Sequence, residues 1–411
     1  MADENSPDLT GKRFGTVGGR ADAELFGEDL TVAEHSNLID LDNLLHDSWA
    51  LGEKLVLGWA PSNGGIALLI APHYFLADQI QSSPLGSIKL DQGIYRELVS
   101  SPKQRDYQRL EQLASELGLS VVHAPMQHSL SGHTREIEAI ERIIRRYSLN
   151  YSDNRAVALF DIVGFSLLTP FEQMTQLNSL SYSLNSAHSR MLTKKIDIRF
   201  ARSNTGDGFY IWNRDEGDNA NTNLYHFMHL VLADNAIARR KGRGKVVPIL
   251  RTCFHLGSCY EFYQAESLSP MLYSYLVGDV TIELARMVEK ALPGQIMVGE
   301  FKLTQPPSRE SMLNPEEFDA IRFMDIAQEH LGKLNGLELA GEPINSIKCY
   351  LTGELMSTGG YSVRRLEIHD KHGIAHHAFN AKVNIYRQRA EPIYLGIEDR
   401  SLGQQVGHLD S

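Results

Sequence analysis

Two aspartates in this 411-residue chain stand where apolar runs give way to turns. Asp161 follows the run AVALF (156–160) and leads through Ile162, Val163 and Gly164 into Phe165 and Ser166. Asp207 lies in the turn 203–208, between the strand-like runs 196–202 and 209–212, a pattern that reads as a β-hairpin. If the strand and the hairpin share a sheet, the two carboxylates can meet at one strand end. Neighbouring carboxylates repel, and a cation between them removes the penalty. The chemistry that suits such a pair is two-metal phosphoryl transfer, because Mg2+ and Mn2+ are hard ions that prefer carboxylate and phosphate oxygen. Taken singly, each aspartate can instead cap its own turn.

The elements that must position these residues read in the order β-α-β-β-α-β-α-β. They are strand 156–160, helix 171–193, strands 196–202 and 209–212, helix 221–240, strand 246–256, a helix after Gly278-Asp279 running to Leu292, and strand 295–299. Pro293-Gly294 signals the stop of the last helix. The order is that of a ferredoxin-like core with extensions, so the expected fold class is α+β. Residues 1–35 read as a mobile arm and 36–130 as a small α/β domain. Ile137, Ile140, Ile143, Ile144 and Tyr147 recur at helical spacing, which predicts an amphipathic connecting helix within 134–150. The core domain is placed at 151–310. Strand-like pieces 346–351, 361–368 and 378–386 make 311–411 a β-rich C-terminal extension.

Composition narrows the function classes. Lys and Arg number 40 against 51 Asp and Glu, a net charge of −11, so no general basic field exists for nucleic acid or an anionic membrane. The run GIALLIA (65–71) is far shorter than the ~20 residues that span a bilayer. The acidic start MADENSPD is unlike a secretory or transit signal. Cys253, Cys259 and Cys349 match no zinc or CxxC spacing and read as reduced core thiols, which places the chain in the cytoplasm.

Four blocks, FDIVGFS (160–166), TGDGFYIW (205–212), LRTCFHLG (250–257) and GDVTIELARMVEKALPGQIMVG (278–299), resemble the catalytic domain of class III nucleotidyl cyclases, in the family's order and near its spacing. The resemblance implies that Asp161 and Asp207 hold two divalent ions, Mn2+ or Mg2+, with the carbonyl of Ile162 as a further ligand. It implies that the amides of Val163, Gly164, Phe165 and Ser166, at a turn into a helix, hold the β and γ phosphates. Arg286 matches the arginine that stabilises charge on the α-phosphate while the ribose 3′-hydroxyl attacks and pyrophosphate leaves. Arg286 shares a helix face with Ile282 and Glu289, so a surface ion pair is its competing role. Because the family draws metal and transition-state residues from opposite subunits, a homodimer with shared sites follows. The isoleucine-rich helix can add to that interface or pack on its own domain.

The chain departs from the family at three positions. Ile282 replaces an asparagine that commonly positions the ribose, and Ser203 and Tyr275 stand where the purine-reading pair is expected. A serine supplies no charge, and a tyrosine fills more volume while keeping one polar handle. The expected pocket is smaller than a purine pocket, which favours UTP, or CTP, as the ribonucleoside triphosphate substrate. The combination resembles the pyrimidine cyclases of bacterial Pycsar antiphage systems, which implies a cUMP or cCMP product read by a separate effector. Alternatives are an adenylate cyclase with atypical base recognition and a non-catalytic nucleotide-binding sensor. A diguanylate-cyclase relative is disfavoured by the absence of a GGDEF-type turn.

Other polar groups carry less. The cluster His369, Asp370, Lys371, His372, Gly373, His376 and His377 reads as a polar turn, because successive residues of an extended chain point to opposite sides. Arg239, Arg240, Lys241, Arg243 and Lys245 read as a solvated loop that could attract triphosphate. His255 and Gly257 are expected to be structural, and no pattern secures Lys333 or Lys348 to phosphate.

Overall fold

In the computed structural model, the structure describes residues 30–80, 91–196, 198–215, 219–242, 246–265, 272–304, 317–354, 362–370, 372–399 and 402. The chain divides into two compact units, one of Met1–Tyr151 with Phe262–Tyr273, the other of Ser152–Glu261 with Ser274–Ser411. Residues 1–29 of the expected arm lie outside the described residues. The arm reading does not extend to residue 35, because helix α1 (Val32–Trp49) starts at Val32. Thr31 caps it, and Glu34 reaches back to the cap amide, the reciprocal pairing that a T-x-x-E sequence encodes.

In the first unit, β1 (Lys54–Ser62), β2 (Gly65–Pro72) and β3 (Val121–Pro125) form an antiparallel sheet in that order. Helices α2 (Phe75–Ile80), α3 (Gln92–Val99), α4 (Tyr107–Leu117) and α5 (Thr134–Arg146) complete it. Leu38, Leu41 and Leu45 of α1 pack with Ile140, Ile143 and Ile144 of α5 against Trp59 and Leu68 of the sheet. The isoleucine face of α5 is therefore occupied within its own unit, the second of the two roles read for it from the sequence. The Trp59 indole donates to Glu141 at 2.7 Å, and the buried Lys103 ammonium donates to the Leu98 and Leu149 carbonyls at 2.6 and 2.9 Å.

The second unit has the α+β architecture read from the sequence. Its core elements are β4 (Asn150–Ile162), α6 (Pro170–Thr193), β5 (Phe200–Asn204), β6 (Gly208–Asn213), α7 (Ala220–Lys241), β7 (Leu250–Ala265), β8 (Leu272–Val277), α8 (Asp279–Lys290) and β9 (Ile296–Gly299), of which the start of β4, the end of β7 and the start of β8 fall in the first unit. The order β7-β4-β6-β5 across the sheet is the ferredoxin-like arrangement, and β9 adds in parallel beside β7. Both sheet faces are covered. Ala156, Ala158 and Phe160 pack toward α6 and α7, whereas Val157 and Leu159 pack toward α8. This is why AVALF is continuously apolar instead of alternating.

Several boundaries differ from the sequence reading: β4 starts at Asn150 rather than 156, β5 spans Phe200–Asn204 rather than 196–202, and β7 runs to Ala265 rather than 256. Strand β7 starts at Leu250 rather than Val246, because Pro248 cannot donate to a ladder. Helix α8 ends at Lys290 because Pro293 drives the chain before it toward extended backbone, and Ala291 is already extended.

Beyond β9 come β10 (Lys302–Thr304), β11 (Glu317–Asp319), α9 (Ala320–His330), β12 (Glu338–Leu339), β13 (Glu342–Leu351), β14 (Arg365–His369), β15 (Ala375–Arg387) and β16 (Ile393–Leu395). Strand β15 pairs with β9, so these strands continue the main sheet. Helix α9 was not foreseen, although Ala320, Phe323, Met324 and Ala327 recur at helical spacing behind the cap Asp319. Cys253, Cys259 and Cys349 are buried and form no disulfide.

Candidate active site

Strands β4 and β6 run antiparallel with Asp161 opposite Gly208, which sets Asp207 against the end of β4. The Ile162 amide donates to the Asp207 carbonyl at 2.9 Å, and the Thr205 amide closes the turn on the Gly208 carbonyl at 3.1 Å. Glycine at 208 is a steric requirement, because a Cβ there would lie 1.9 Å from the Phe160 carbonyl oxygen. The hairpin thus brings together the two aspartates that the sequence singles out.

Asp161 is 6% exposed and Asp207 is half-buried. Burial raises the Asp161 pKa, the Asp207 charge raises it further, and Arg251 opposes both. Arg251 is a site residue that sequence reasoning missed. From β7 it sets Nε 2.7 Å and a terminal nitrogen 2.6 Å from Asp161 Oδ2. Its signal lay in the strand period: Arg251 and Cys253 point the same way, and Cys253 lies on the α8 face with Val157 and Leu159. Tyr210, on β6, donates its hydroxyl to the Thr281 carbonyl at 3.2 Å. Burial, then Cys253 and Asp207, raise its pKa.

Among the described residues no group of three or more His, Cys, Asp and Glu side chains could hold a metal ion. The two carboxylates form an oxygen-only donor set, and their mutual repulsion, visible in Asp161, is what a hard cation relieves. Mg2+ is commonly held by one or two carboxylates plus substrate phosphates. Asp161 and Asp207 fit an ion of that kind.

The turn after Asp161 differs from expectation. The Val163 amide is engaged by the Ile249 carbonyl at 2.9 Å, so it is not available to phosphate. Among the described residues, the amides of Gly164, Phe165 and Ser166 have no hydrogen-bond partner. The turn leads only into a single helical turn, Phe165–Leu167. Helix α6 starts separately at Pro170 and is sealed by Thr169 and Glu172, so the positive end of a long helix is not aimed from this turn. Beside it lies a cavity of about 400 Å³ lined by Val163, Gly164, Leu167, Leu168, Gln176 and Arg239 among others. Arg239 therefore stands at a cavity wall, and Arg243 and Lys245 of the same basic run lie outside the described residues.

Arg286 projects from α8 into an ion-paired setting. Its Nη1 lies 3.6 Å from Glu289, and its Nε lies 3.6 Å from Asp370. Ile282, one turn earlier, is 53% exposed. Ser203 is half-buried on β5, paired with Tyr210. Tyr275 is 40% exposed on β8 while its neighbour Leu276 is buried, so Tyr275 is not the core aromatic that would be its plainest role.

Of the lesser candidates, His376 is buried beside Glu283 and His369 pairs with Glu367, while Lys371 lies outside the described residues. His255 is buried and Gly257 packs under Val280. Lys333 and Lys348 are exposed. Among the described residues no helix is long and apolar enough to cross a membrane.

No protein-family model matches the chain, and no curated protein matches it in sequence. Among solved structures, the guanylate cyclase domain of RhGC from Catenaria anguillulae, in complex with GTP, is 12% identical. It covers 58% of this chain and 100% of its own length, at a TM-score of 0.33. The adenylyl cyclase CyaB from P. aeruginosa is 11% identical and covers 58% of this chain and 97% of its own, at 0.29. The guanylyl cyclase Cya2 is 10% identical, with coverages of 56% and 92% and a TM-score of 0.30. Scores this low do not carry an activity over to this chain.

Proposed function

We propose that the protein is a nucleotidyl cyclase of the class III kind, converting UTP, or CTP, to the 3′,5′-cyclic monophosphate and pyrophosphate. The observation that carries this reading is the placement of Asp161 and Asp207 side by side at the end of β4, next to a turn with three unengaged amides. Asp161, Asp207 and the Ile162 carbonyl would hold two divalent ions, Mn2+ or Mg2+, which supply positive charge at the triphosphate and at the attacking 3′-oxygen. The amides of Gly164, Phe165 and Ser166 donate to the β and γ phosphates. Arg286, from the partner subunit of a homodimer, meets the charge that builds on the α-phosphate as the P–O bond to pyrophosphate breaks.

Ser203 and Tyr275 support the pyrimidine assignment, since neither reproduces the charged purine-reading pair of the resembling family. On the Pycsar resemblance, the product is a defence signal read by a separate effector. The test is one assay of the purified chain with Mn2+ against the four ribonucleoside triphosphates, with products separated by chromatography. Cyclic UMP or CMP is expected. Cyclic AMP alone would move the base assignment to adenine, and absence of any cyclic product would end the cyclase reading.

A nucleotide-binding sensor is the second reading, favoured by Ile282 at the ribose position and by the ion pairs around Arg286. Binding of UTP or ATP without product release would favour it.

A further inference from the structure

Helix α8 turns two charged side chains toward the β14–β15 hairpin, and the hairpin answers each. His376 Nδ1 lies 2.9 and 3.0 Å from the two carboxylate oxygens of Glu283. Three residues along the helix, Arg286 meets Asp370 in the hairpin turn, Nε to Oδ2 at 3.6 Å.

Asp370 is held by its own turn. Its side chain is 4% exposed, and Oδ1 accepts from the backbone amides of His372 at 2.8 Å and Ile374 at 2.9 Å. The Asp370 amide donates to the Ile374 carbonyl at 3.1 Å, and the Gly373 amide donates back to the Asp370 carbonyl at 3.0 Å. An aspartate that closes a turn in this way has its orientation decided locally. Oδ2 is left facing Arg286 Nε and, at 3.7 Å, His376 Nε2. Arg286 Nε is buried and has no hydrogen-bond partner among the described residues, an arrangement that is costly unless a nearby acceptor compensates. Asp370 Oδ2, at 3.6 Å, is too far for a hydrogen bond and compensates by its charge.

The far edge of the guanidinium is different. Among the described residues Nη1 meets only Glu289, whose side chain is 59% exposed, and such a contact is weak and easily given up to a better anion. One side of Arg286 therefore faces a buried carboxylate that is oriented by its own turn, and the other is presented outward. A planar fork held along one edge keeps its remaining donors in a fixed direction, which suits recognition of phosphate oxygen.

We infer that Asp370 is a positioning residue for Arg286, so that a turn of the C-terminal strands sets the direction in which the arginine meets its anion. This rests on the reading of Arg286 as the group that faces the α-phosphate. It gives the C-terminal hairpin a part in the reaction that none of the four cyclase-like blocks contains.

The test compares wild type, Asp370→Asn, Arg286→Ala and the double variant. Asparagine keeps the oxygen that closes the turn, and Asp370→Ser, which also closes turns, is the replacement if Asp370→Asn melts early. The expected result is that Asp370→Asn lowers kcat about 10-fold to 100-fold with KM little changed, and has no further effect once Arg286 is alanine. Equal losses in both backgrounds, or a change in KM alone, overturn the inference. A second readout is independent of turnover. In protein with isotope-labelled arginine, the Arg286 Nε–H resonance, identified by its loss in Arg286→Ala, is expected to shift in Asp370→Asn. An unmoved resonance overturns the positioning role whether or not product forms. A resonance that moves in a protein making no cyclic nucleotide upholds the anchoring of Arg286 and removes the cyclase reading alone.

Discussion

Arg251 gives two nitrogens to a single oxygen of Asp161, at 2.7 and 2.6 Å from Oδ2. The aspartate is buried and stands beside a second carboxylate, so this guanidinium offsets a charge that the fold otherwise disfavours. Removing one partner of a buried pair leaves the other uncompensated, at a cost of about 3 kcal/mol or more. Arg251→Met is expected to lower stability by about that amount in urea unfolding. Asp161→Asn in the same chain should recover most of the loss. A double variant no more stable than Arg251→Met would mean that the arginine stabilises something other than Asp161.

Gly208 makes the aspartate pairing possible. A Cβ at this position falls 1.9 Å from the Phe160 carbonyl oxygen, so Gly208→Ala must separate β6 from β4 at the end where Asp161 and Asp207 meet. Crowding of this kind costs roughly 1–3 kcal/mol. Mn2+ is expected to raise the melting temperature of the wild type by binding its folded state, and the variant is expected to melt earlier and to lose that rise. Asp207→Asn should lose the Mn2+ effect without the early melting. A full Mn2+ response in Gly208→Ala would show that the ion does not need both carboxylates together.

The turn after Asp161 and helix α6 behind it are separate devices. Thr169 caps α6 by accepting from the Glu172 amide at 3.3 Å, and Glu172 accepts from the Thr169 amide at 2.9 Å. Thr169→Ala should cost about 1 kcal/mol of stability, the usual price of a lost cap. Nucleotide KM should stay unchanged, since the amides proposed to meet phosphate are those of Gly164, Phe165 and Ser166, which are unengaged among the described residues. A several-fold rise in KM would return the helix end to the binding site.

How far the sequence reached depends on whether each signal was local. The strand AVALF and the turn TGDGF are short contiguous patterns, and the two-sided burial of β4 left its mark as an unbroken apolar run. Asp161 and Asp207 were legible because each marks the junction of such a run with a turn. Arg251 was not, because an arginine within a strand ordinarily reads as a solvent-facing residue and its partner is 90 positions away. Asp370 was legible as a turn residue, which it is, but its reach to Arg286 depends on β14 and β15 pairing beside α8. The engagement of the Val163 amide by Ile249 is likewise a tertiary fact, hidden within a motif whose location was plain.

Three buried histidines are expected to set an acid limit on stability. His226 and His255 have pKa values lowered to about 4 by burial, and His229 is held well below its ordinary value by burial and by His226. His226 Nε2 lies 2.9 Å from the Ala327 carbonyl, while His229 stacks edge-on against Tyr225 at 4.3 Å with neither ring nitrogen hydrogen-bonded among the described residues. In the unfolded chain each ring binds a proton near pH 6.5. The folded values are the lower ones, so these rings contribute full stability above pH 6.5. That stability is lost as pH falls from 6.5 toward 4, where the unfolded state binds more protons. Each histidine contributes a slope of about 1.4 kcal/mol per pH unit in that window, and three together exhaust an ordinary stability of about 5–15 kcal/mol within a few units. Urea midpoints measured from pH 8 to 5 should fall steeply below 6.5. His255→Leu, which removes one proton site from the unfolded state, should flatten the curve by about 1.4 kcal/mol per pH unit. Parallel curves for wild type and variant would show that His255 titrates alike in both states and that the acid limit lies with other groups.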